Sequence, residues 1–129
     1  MIELALMCLS MNIYWESRVQ SIAGQVAVAQ VTMNRVASPK YPQTVCEVVY
    51  EHKQFSWYWD GKSDVPLEEE AWKRAQMVAM GVLAGSGHAD LMDVNITHYH
   101  ALTVQPYWAP TMKLIARIED HKFYLQGGT

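Results

Sequence analysis

The chain has 129 residues, half of them apolar and 18% charged, and a formal net charge of −3. This length suffices for one compact domain with its own core and is too short for two, so we expect a single domain over residues 1–129. The moderate charged fraction excludes a disordered chain. The weakly acidic balance and the scattered lysines and arginines argue against nucleic acid as a partner.

The first half of the chain is predicted to be helical. A first helix covers residues 2–18, and its core-facing stripe consists of apolar residues at helical spacing: Leu4, Met7, Cys8, Met11 and Trp15. Ser21 is a candidate N-cap for a second helix that ends at Val36. The apolar face of that helix consists of Ile22, Val26, Ala29, Met33 and Val36. Thr44 and Glu47 have capping-box spacing, so a short third helix is expected to begin at Thr44.

A fourth helix and a small sheet are predicted in the second half. The helix covers residues 66–84, because acidic residues crowd its first turn and Gly85 follows its end. The segment NITHYHA alternates as a strand does. Its two predicted faces are Ile96, His98 and His100 on one side and Thr97, Tyr99 and Ala101 on the other. A turn or short helix is expected around Pro110, and two strands flank a Glu119–Asp120 turn. The fold class is therefore α+β, mainly helical with a small antiparallel sheet.

The two cysteines, Cys8 and Cys46, form no C-x-x-C pair and lack the spacing of a zinc site. A disulfide between them is one interpretation. We favour the other, in which both are buried small apolar residues.

The N-terminus lacks the pattern of an export signal. Glu3 stands where a signal peptide carries positive charge, and Ser10 and Asn12 interrupt an apolar run that is too short to span a bilayer. We therefore expect no signal peptide, no transmembrane segment and no stable membrane insertion.

Glu16 is the first candidate for chemistry. By local pattern alone, a carboxylate at the end of an amphipathic helix is an ordinary solvated residue. Its context differs, because Tyr14 and Trp15 precede it and few charges follow. A carboxyl group placed against aromatic rings loses solvation and its pKa rises, which is what a general acid needs near neutral pH.

A second candidate is the aromatic segment QFSWYWDG, residues 54–61. In one interpretation, two of its aromatic side chains anchor a loop in the core. In the other, the segment lines a carbohydrate groove, where flat rings stack on sugars while amide and hydroxyl groups bond the sugar hydroxyls.

The histidines are a third candidate. His98 and His100 lie two positions apart on one strand face, a spacing that can chelate a metal, and His52, His88 and His121 lie elsewhere. No carboxylate stands at a recognisable metal-binding spacing. We therefore favour polar strand residues that line a cleft or are hydrogen-bonded in place, and we expect no metal and no cofactor.

Taken in order, four segments resemble a known family: IYWESRVQSIAGQVAVAQVTMNRV, YPQTVCEVVYEHKQFSW, THYHALTVQPYWAPTM and IEDHKFY. They resemble the cell wall hydrolase family of the spore cortex-lytic enzymes, the SleB/CwlJ type, whose catalytic domain also occurs in phage and bacterial lysins. The family pattern reads roughly aromatic-x-E-A-R-G-E, G-Q-x-A-V-A-x-V-x-x-N-R, F-P-x-T-V, Q-F-S-W, T-H-Y-x-A, P-x-W and H-x-F-Y. The match covers nearly the whole chain.

The resemblance implies a lysozyme-like, lytic-transglycosylase-like domain that cleaves the glycan strands of peptidoglycan. It places the catalytic acid at Glu16. It places Gly24, Gln25, Asn34 and Arg35 in the helix that follows. The substrate-binding positions that it implies are Gln54, Phe55, Ser56 and Trp57 in the groove, and Thr97, His98, Tyr99 and Trp108 in the late strand and its loop.

The chain departs from the pattern after Glu16, where SRVQ replaces A-R-G-E and Gln20 takes the second acidic position. We therefore favour a mechanism with one acid. Glu16 protonates the oxygen between N-acetylmuramic acid (MurNAc) and N-acetylglucosamine (GlcNAc), and then acts as base while the MurNAc C6 hydroxyl attacks to form a 1,6-anhydro end.

Three alternatives stay open. A muramidase-type hydrolase would need a second carboxylate, for which Asp60 is the best candidate. A metal-dependent N-acetylmuramoyl-L-alanine amidase would hold its metal on His98, His100 or His88. A catalytically inactive module would bind glycan without cleaving it. The expected context is a monomeric phage endolysin released from the host cytoplasm, or part of a longer secreted enzyme.

Overall fold

The computed structural model describes residues 2–51, 68–85 and 95–125. It contains four α-helices, which are α1 (Ile2–Ser17), α2 (Ile22–Ala37), α3 (Val45–Glu51) and α4 (Glu69–Leu83). Three strands follow, β1 (Ile96–Ala101), β2 (Lys113–Ile118) and β3 (His121–Leu125), and a short 3-10 helix (Ala109–Thr111) precedes β2. The predicted α+β class, mainly helical with a small antiparallel sheet, is confirmed.

Local capping chemistry fixes the helix ends close to their predicted positions. The Ser21 hydroxyl accepts a hydrogen bond of 3.2 Å from the backbone N–H of Gly24 and caps α2. Thr44 caps α3 in the same way, accepting from the Glu47 N–H at 3.2 Å while its hydroxyl donates to the Glu47 carboxylate at 2.8 Å. Gly85, with φ of +80°, follows the end of α4. The predicted start of α4 at residue 66 is too early, because Glu68 is extended and the helix begins at Glu69.

The predicted core stripe of α1 is wrong in part. Leu4 is 61% exposed and Met7 is 51% exposed, whereas Leu9, Ile13 and Tyr14 are buried beside Cys8. The reason is that α1 is apolar around much of its circumference, so its periodicity does not single out one face. Contacts with α2, α3 and α4 decide which side chains are buried.

Helix α2 contacts the three other described helices and the sheet, and it has two buried sides. One side joins the helical core, and the other packs Ala27, Val28 and Val31 against the sheet. Ile22, predicted on the single apolar face, is 45% exposed. The prediction of one apolar face is therefore wrong, because α2 contacts three helices and β1. No helix in the described ranges combines the length and apolarity that crossing a bilayer requires.

Cys8 and Cys46 form a disulfide, with their Cα atoms 5.2 Å apart. The favoured interpretation of two unpaired cysteines is therefore wrong. The sequence alone could not decide this, because the pairing depends on how α3 packs against α1. The bond closes a separation of 38 residues and joins the two helices covalently.

The sheet is antiparallel in the order β1–β3–β2. An irregularity between Ile96 and His98 breaks the predicted alternation of β1. Ile96 consequently packs in the core with Tyr99, rather than on the face of His98 and His100 as predicted. His98 and His100 do share a face, since both rings contact Trp108.

The turn between β2 and β3 docks on the loop between α1 and α2. Gln20 donates to the Asp120 carboxylate at 3.1 Å and accepts from the Asp120 N–H at 3.3 Å. Glu119 accepts a hydrogen bond of 2.6 Å from the Ser21 N–H. A Cβ atom on Gly24 would lie 3.1 Å from the Gln20 Cβ and 3.2 Å from the Glu119 carboxylate, so this close approach favours glycine.

Candidate active site

A cleft of about 370 Å³ opens between the C-terminal end of α1 and the sheet. Its polar lining comes from Glu16, Tyr99, His100 and His121. Its aromatic and apolar lining comes from Trp15, Trp108, Val104, Pro106 and Ala101. The cleft thus combines apolar walls with a few convergent polar groups, which is typical of ligand sites.

The end of α1 is held firmly where it borders the cleft. The Tyr14 hydroxyl accepts a hydrogen bond of 3.0 Å from the Glu68 N–H at the start of α4. Arg18 and Glu68 form an ion pair at 2.7 Å, and the Arg18 guanidinium lies 5.3 Å from the Tyr14 ring centre. These contacts fix the orientation of the last turn of α1, which carries Glu16.

Glu16 is partly buried, and burial raises its pKa from 4.5 to about 7. Two groups oppose this rise. The Tyr99 hydroxyl donates a hydrogen bond of 3.3 Å to Oε1, and the positive charge of Arg35 favours the carboxylate. The carboxyl group is therefore protonated in a substantial fraction of molecules near neutral pH, as a general acid requires.

Tyr99 presents its hydroxyl to Glu16 from the middle of β1. Its ring is stacked on Phe123, with centroids 5.7 Å apart, and meets His121 edge-on at 5.5 Å. Burial raises the pKa of the Tyr99 phenol well above its usual value, so the phenol stays protonated and serves as a hydrogen-bond donor.

Arg35 and Asn34 attach the start of β1 to α2. The Arg35 Nε donates to the Thr97 carbonyl at 2.7 Å, and the Asn34 amide donates to the Ile96 carbonyl at 2.9 Å. Arg35 is only 3% exposed, and burial lowers its pKa. The two side chains therefore fix β1 against α2, and Arg35 also places a positive charge near Glu16.

Trp108 forms the opposite wall with an aromatic cluster. Its ring meets those of His98, His100 and Tyr124 at 4.9, 5.7 and 5.3 Å between centroids. His100 Nδ1 donates to the Ala101 carbonyl at 2.7 Å, because a carbonyl can only accept. In the neutral ring, His100 Nε2 then accepts from the Tyr124 hydroxyl at 2.8 Å.

The structure brings three of the sequence-predicted site residues to one cleft: Glu16, Tyr99 and Trp108. Thr97 is buried beside them, and its hydroxyl lies 3.1 Å from His98 Nδ1. His98 contacts Trp108 rather than lining the cleft. The four groove residues Gln54, Phe55, Ser56 and Trp57 lie outside the described residues, as do Asp60, His52 and His88.

Sequence reasoning assigned no role in a glycan cleft to His121. This residue is 6% exposed, and burial lowers the pKa of its imidazole. Its Nδ1 has no hydrogen-bond partner among the described residues. The H-x-F-Y motif contains His121 and could have drawn attention to it. Its place in the cleft follows from the sheet register, in which His121 lies opposite Ala101 of β1. In the part of the chain that the structure describes, no group of three or more His, Cys, Asp or Glu side chains is arranged to hold a metal.

Comparisons with known proteins agree with the predicted relationship. A profile of the Cell Wall Hydrolase family matches residues 19–124. A spore cortex-lytic enzyme of Bacillus cereus is 33% identical over 111 residues, and one of Bacillus subtilis strain 168 is 39% identical over 115 residues. These matches cover 86% and 89% of this chain, but only 40% and 35% of the relatives. The chain thus spans about two fifths of the length of the curated relatives.

Two solved structures have the same fold. The catalytic domain of the germination-specific lytic transglycosylase SleB from Bacillus anthracis superposes with a TM-score of 0.72 at 31% identity, covering 93% of both chains. The catalytic domain of the Bacillus cereus SleB protein superposes with a TM-score of 0.69 at 28% identity, covering 95% of this chain and 90% of that one. The predicted lytic-transglycosylase-like fold and the predicted relationship are confirmed: the chain belongs to the Cell Wall Hydrolase family.

Proposed function

We propose that the chain cleaves the MurNAc–GlcNAc bond of peptidoglycan as a lytic transglycosylase, with Glu16 as its acid and base. One observation carries this proposal. Glu16 is the only carboxyl group among the described residues that line the cleft, and burial raises its pKa to about 7. A single carboxyl group with this pKa can give a proton and take one back near neutral pH.

The reaction needs no second carboxylate. Protonated Glu16 gives its proton to the glycosidic oxygen, the bond from that oxygen to MurNAc C1 breaks, and GlcNAc leaves with a hydroxyl group. The MurNAc C6 hydroxyl then attacks the positively charged C1, and its proton passes to the Glu16 carboxylate. The product carries a 1,6-anhydro ring, and Glu16 regains the proton with which it began.

Tyr99 and Arg35 stabilise the ionised form of Glu16 that arises during this reaction. After the first proton transfer, Glu16 is a partly buried carboxylate in the cleft. The Tyr99 hydroxyl, 3.3 Å from Oε1, and the Arg35 charge stabilise that carboxylate. Trp108, and outside the described residues Phe55 and Trp57, are the proposed stacking surfaces for sugar rings. Gln54 and Ser56, outside the described residues, are proposed to bond the sugar substituents. Thr97 and His98 are proposed to support Trp108, since His98 contacts its ring and the Thr97 hydroxyl lies 3.1 Å from His98 Nδ1.

The comparisons support the substrate class. One structural neighbour is named a lytic transglycosylase catalytic domain, and the curated relatives are named spore cortex-lytic enzymes. We propose a monomer that acts alone on peptidoglycan strands, without nucleic acid or stable membrane insertion. The Cys8–Cys46 disulfide favours action in an oxidising compartment outside the cytoplasm. Both a secreted enzyme and an endolysin would act there. The disulfide gives more support to the secreted enzyme, because an endolysin is held in the reducing cytoplasm before its release.

The proposal is tested by incubating purified sacculi with the wild-type chain, with Glu16→Gln and with Glu69→Gln, and measuring the soluble fragments released. Glu69 is an exposed carboxylate in the first turn of α4 and serves as the matched control. We expect release by the wild type and by Glu69→Gln, and a loss of at least a hundredfold in Glu16→Gln. Release that a chelator abolishes would favour the metal-dependent amidase. Binding to sacculi without release would favour the glycan-binding module.

A further inference from the structure

A second pocket adjoins the cleft that contains Glu16. It has a volume of about 280 Å³. It shares His100, Val104 and Pro106 with the cleft, and its further polar lining comes from Gln105, Lys122 and Tyr124. The shared residues make the two pockets neighbours, so a ligand held in the cleft lies next to the second pocket.

Lys122 gives this pocket its charge. In the sheet register, Lys122 of β3 lies opposite Arg117 of β2 on one side and His100 of β1 on the other. Directly opposed residues of antiparallel strands share a face, so two cationic side chains are neighbours on this face. Within the described residues neither cation belongs to an ion pair, and Arg117 bonds only the Glu119 backbone carbonyl, at 2.9 Å.

In the described part of the chain, the carboxylates of the adjacent turn form no ion pair with these cations. Glu119 and Asp120 occupy the adjacent turn, but both are engaged with the loop between α1 and α2. Glu119 accepts from the Ser21 N–H at 2.6 Å, and Asp120 accepts from the Gln20 amide at 3.1 Å. Lys122 and Arg117 thus place two cations on this face with no ion-pair partner among the described residues, although the whole chain has a net charge of −3.

We propose that the second pocket binds the stem peptide of the MurNAc residue held in the cleft, with Lys122 paired to a peptide carboxylate. This inference rests on the proposed function. The stem peptide begins on the lactyl group of the sugar ring, so it leaves the cleft next to the scissile bond. The pocket offers apolar contacts at Val104 and Pro106 and, at Lys122, an ammonium group with no ion-pair partner among the described residues, which suits a short peptide with free carboxylates.

The test measures binding and turnover on two matched substrates: soluble glycan strands that keep their stem peptides, and the same strands stripped of peptides by an amidase. Both come from sacculi free of teichoic acid, so peptide-bearing strands carry their carboxylates on the peptide, whereas stripped strands carry only the lactyl carboxylate that the amidase exposes on each sugar. Binding is measured with Glu16→Gln, which makes the result independent of turnover. We expect peptide-bearing strands to bind about tenfold more tightly than stripped strands.

Adding Lys122→Glu to Glu16→Gln should remove this tenfold preference and leave the Kd for stripped strands unchanged. Lys122→Gln removes the positive charge without adding a negative one, and it should remove most of the tenfold preference. Lys113→Glu makes the same charge change at an exposed position of β2 outside the pocket and should keep the preference. In the active enzyme, Lys122→Gln should raise KM for peptide-bearing strands alone, with kcat retained.

Two outcomes would overturn the proposal: equal binding of both substrates, or an equal loss on both substrates when Lys122 is changed. In either case, cleavage of stripped strands by the wild type would leave the glycan-cleaving function intact. Failure of the proposed function would instead be seen as no cleavage of either substrate.

Discussion

The hydroxyl of Tyr99 donates a hydrogen bond of 3.3 Å to Oε1 of Glu16, across 83 positions of sequence. One partner comes from the last turn of α1, and the other comes from the middle of β1. Burial alone disfavours the ionised carboxyl group, and this hydrogen bond opposes that effect. The contact therefore tunes the group to which we assign the chemistry.

Tyr99→Phe should move the pH dependence of catalysis to higher pH. In the wild type, kcat/KM should fall as pH rises through about 7, because the acid form of Glu16 is lost. Without the Tyr99 hydroxyl, the carboxylate is less stabilised and the pKa of Glu16 rises further. A pH–rate profile should show the alkaline limb at higher pH and a severalfold lower maximum. Tyr107→Phe is the control, because Tyr107 is 92% exposed. If the alkaline limb of Tyr99→Phe were unshifted, the assignment of that limb to Glu16 would be contradicted.

Glu16→Gln should stabilise the fold at alkaline pH. The folded-state pKa of Glu16 is raised from 4.5 to about 7, so ionising it costs free energy only in the folded state. The wild type should lose about 2 to 3 kcal/mol as pH rises from 4.5 to 7, and the variant should not. Urea unfolding at pH 4 and pH 8 measures this. If wild type and variant differed in free energy of unfolding by the same amount at both pH values, this prediction would be refuted.

Gln20→Glu should destabilise the fold by about 2 kcal/mol at neutral pH. The change replaces an amide that makes two hydrogen bonds to Asp120 with a second carboxylate facing the first. The loss should shrink on acidification, since a shared proton then bridges the two groups. Val19→Glu adds the same charge at a neighbouring residue that is 83% exposed and should cost little. Equal unfolding midpoints for Gln20→Glu and the wild type at pH 7 would show that the pairing does not matter.

Reduction of the Cys8–Cys46 bond should lower the free energy of unfolding by about 4 kcal/mol, on a chain-entropy estimate for a separation of 38 residues. Urea unfolding with and without reductant measures the change. The double variant Cys8→Ala, Cys46→Ala is the control, because reductant should not affect it. Two titratable thiols in the native chain without reductant would contradict the pairing.

Local chemistry made most of the element boundaries predictable. Ser21, Thr44 and Gly85 act on their own helix ends, so the spacing of a few residues was enough to place α2, α3 and the end of α4. The buried faces were less predictable. Which sides of α1 and α2 are covered depends on neighbours that are distant in sequence, and the same holds for the disulfide.

The candidate site was likewise predictable only in part. Glu16 was recognisable from its aromatic neighbours and its motif, and Tyr99 and Trp108 from motifs later in the chain. The roles of Arg35 in attaching β1 and of Gln20 in binding Asp120 depend on contacts 62 and 100 positions apart. His121 was missed for the same reason, because only the pairing of β3 with β1 brings it to the cleft.

The most direct test of the account is mass spectrometry of peptidoglycan digested by the wild-type chain and by Glu16→Gln. The account predicts fragments that end in 1,6-anhydro-MurNAc from the wild type and none from Glu16→Gln. Reducing MurNAc ends from the wild type would contradict the transglycosylase reaction and point to a hydrolase with a second carboxylate. The same anhydro products from both proteins would contradict the central claim that Glu16 is the catalytic acid.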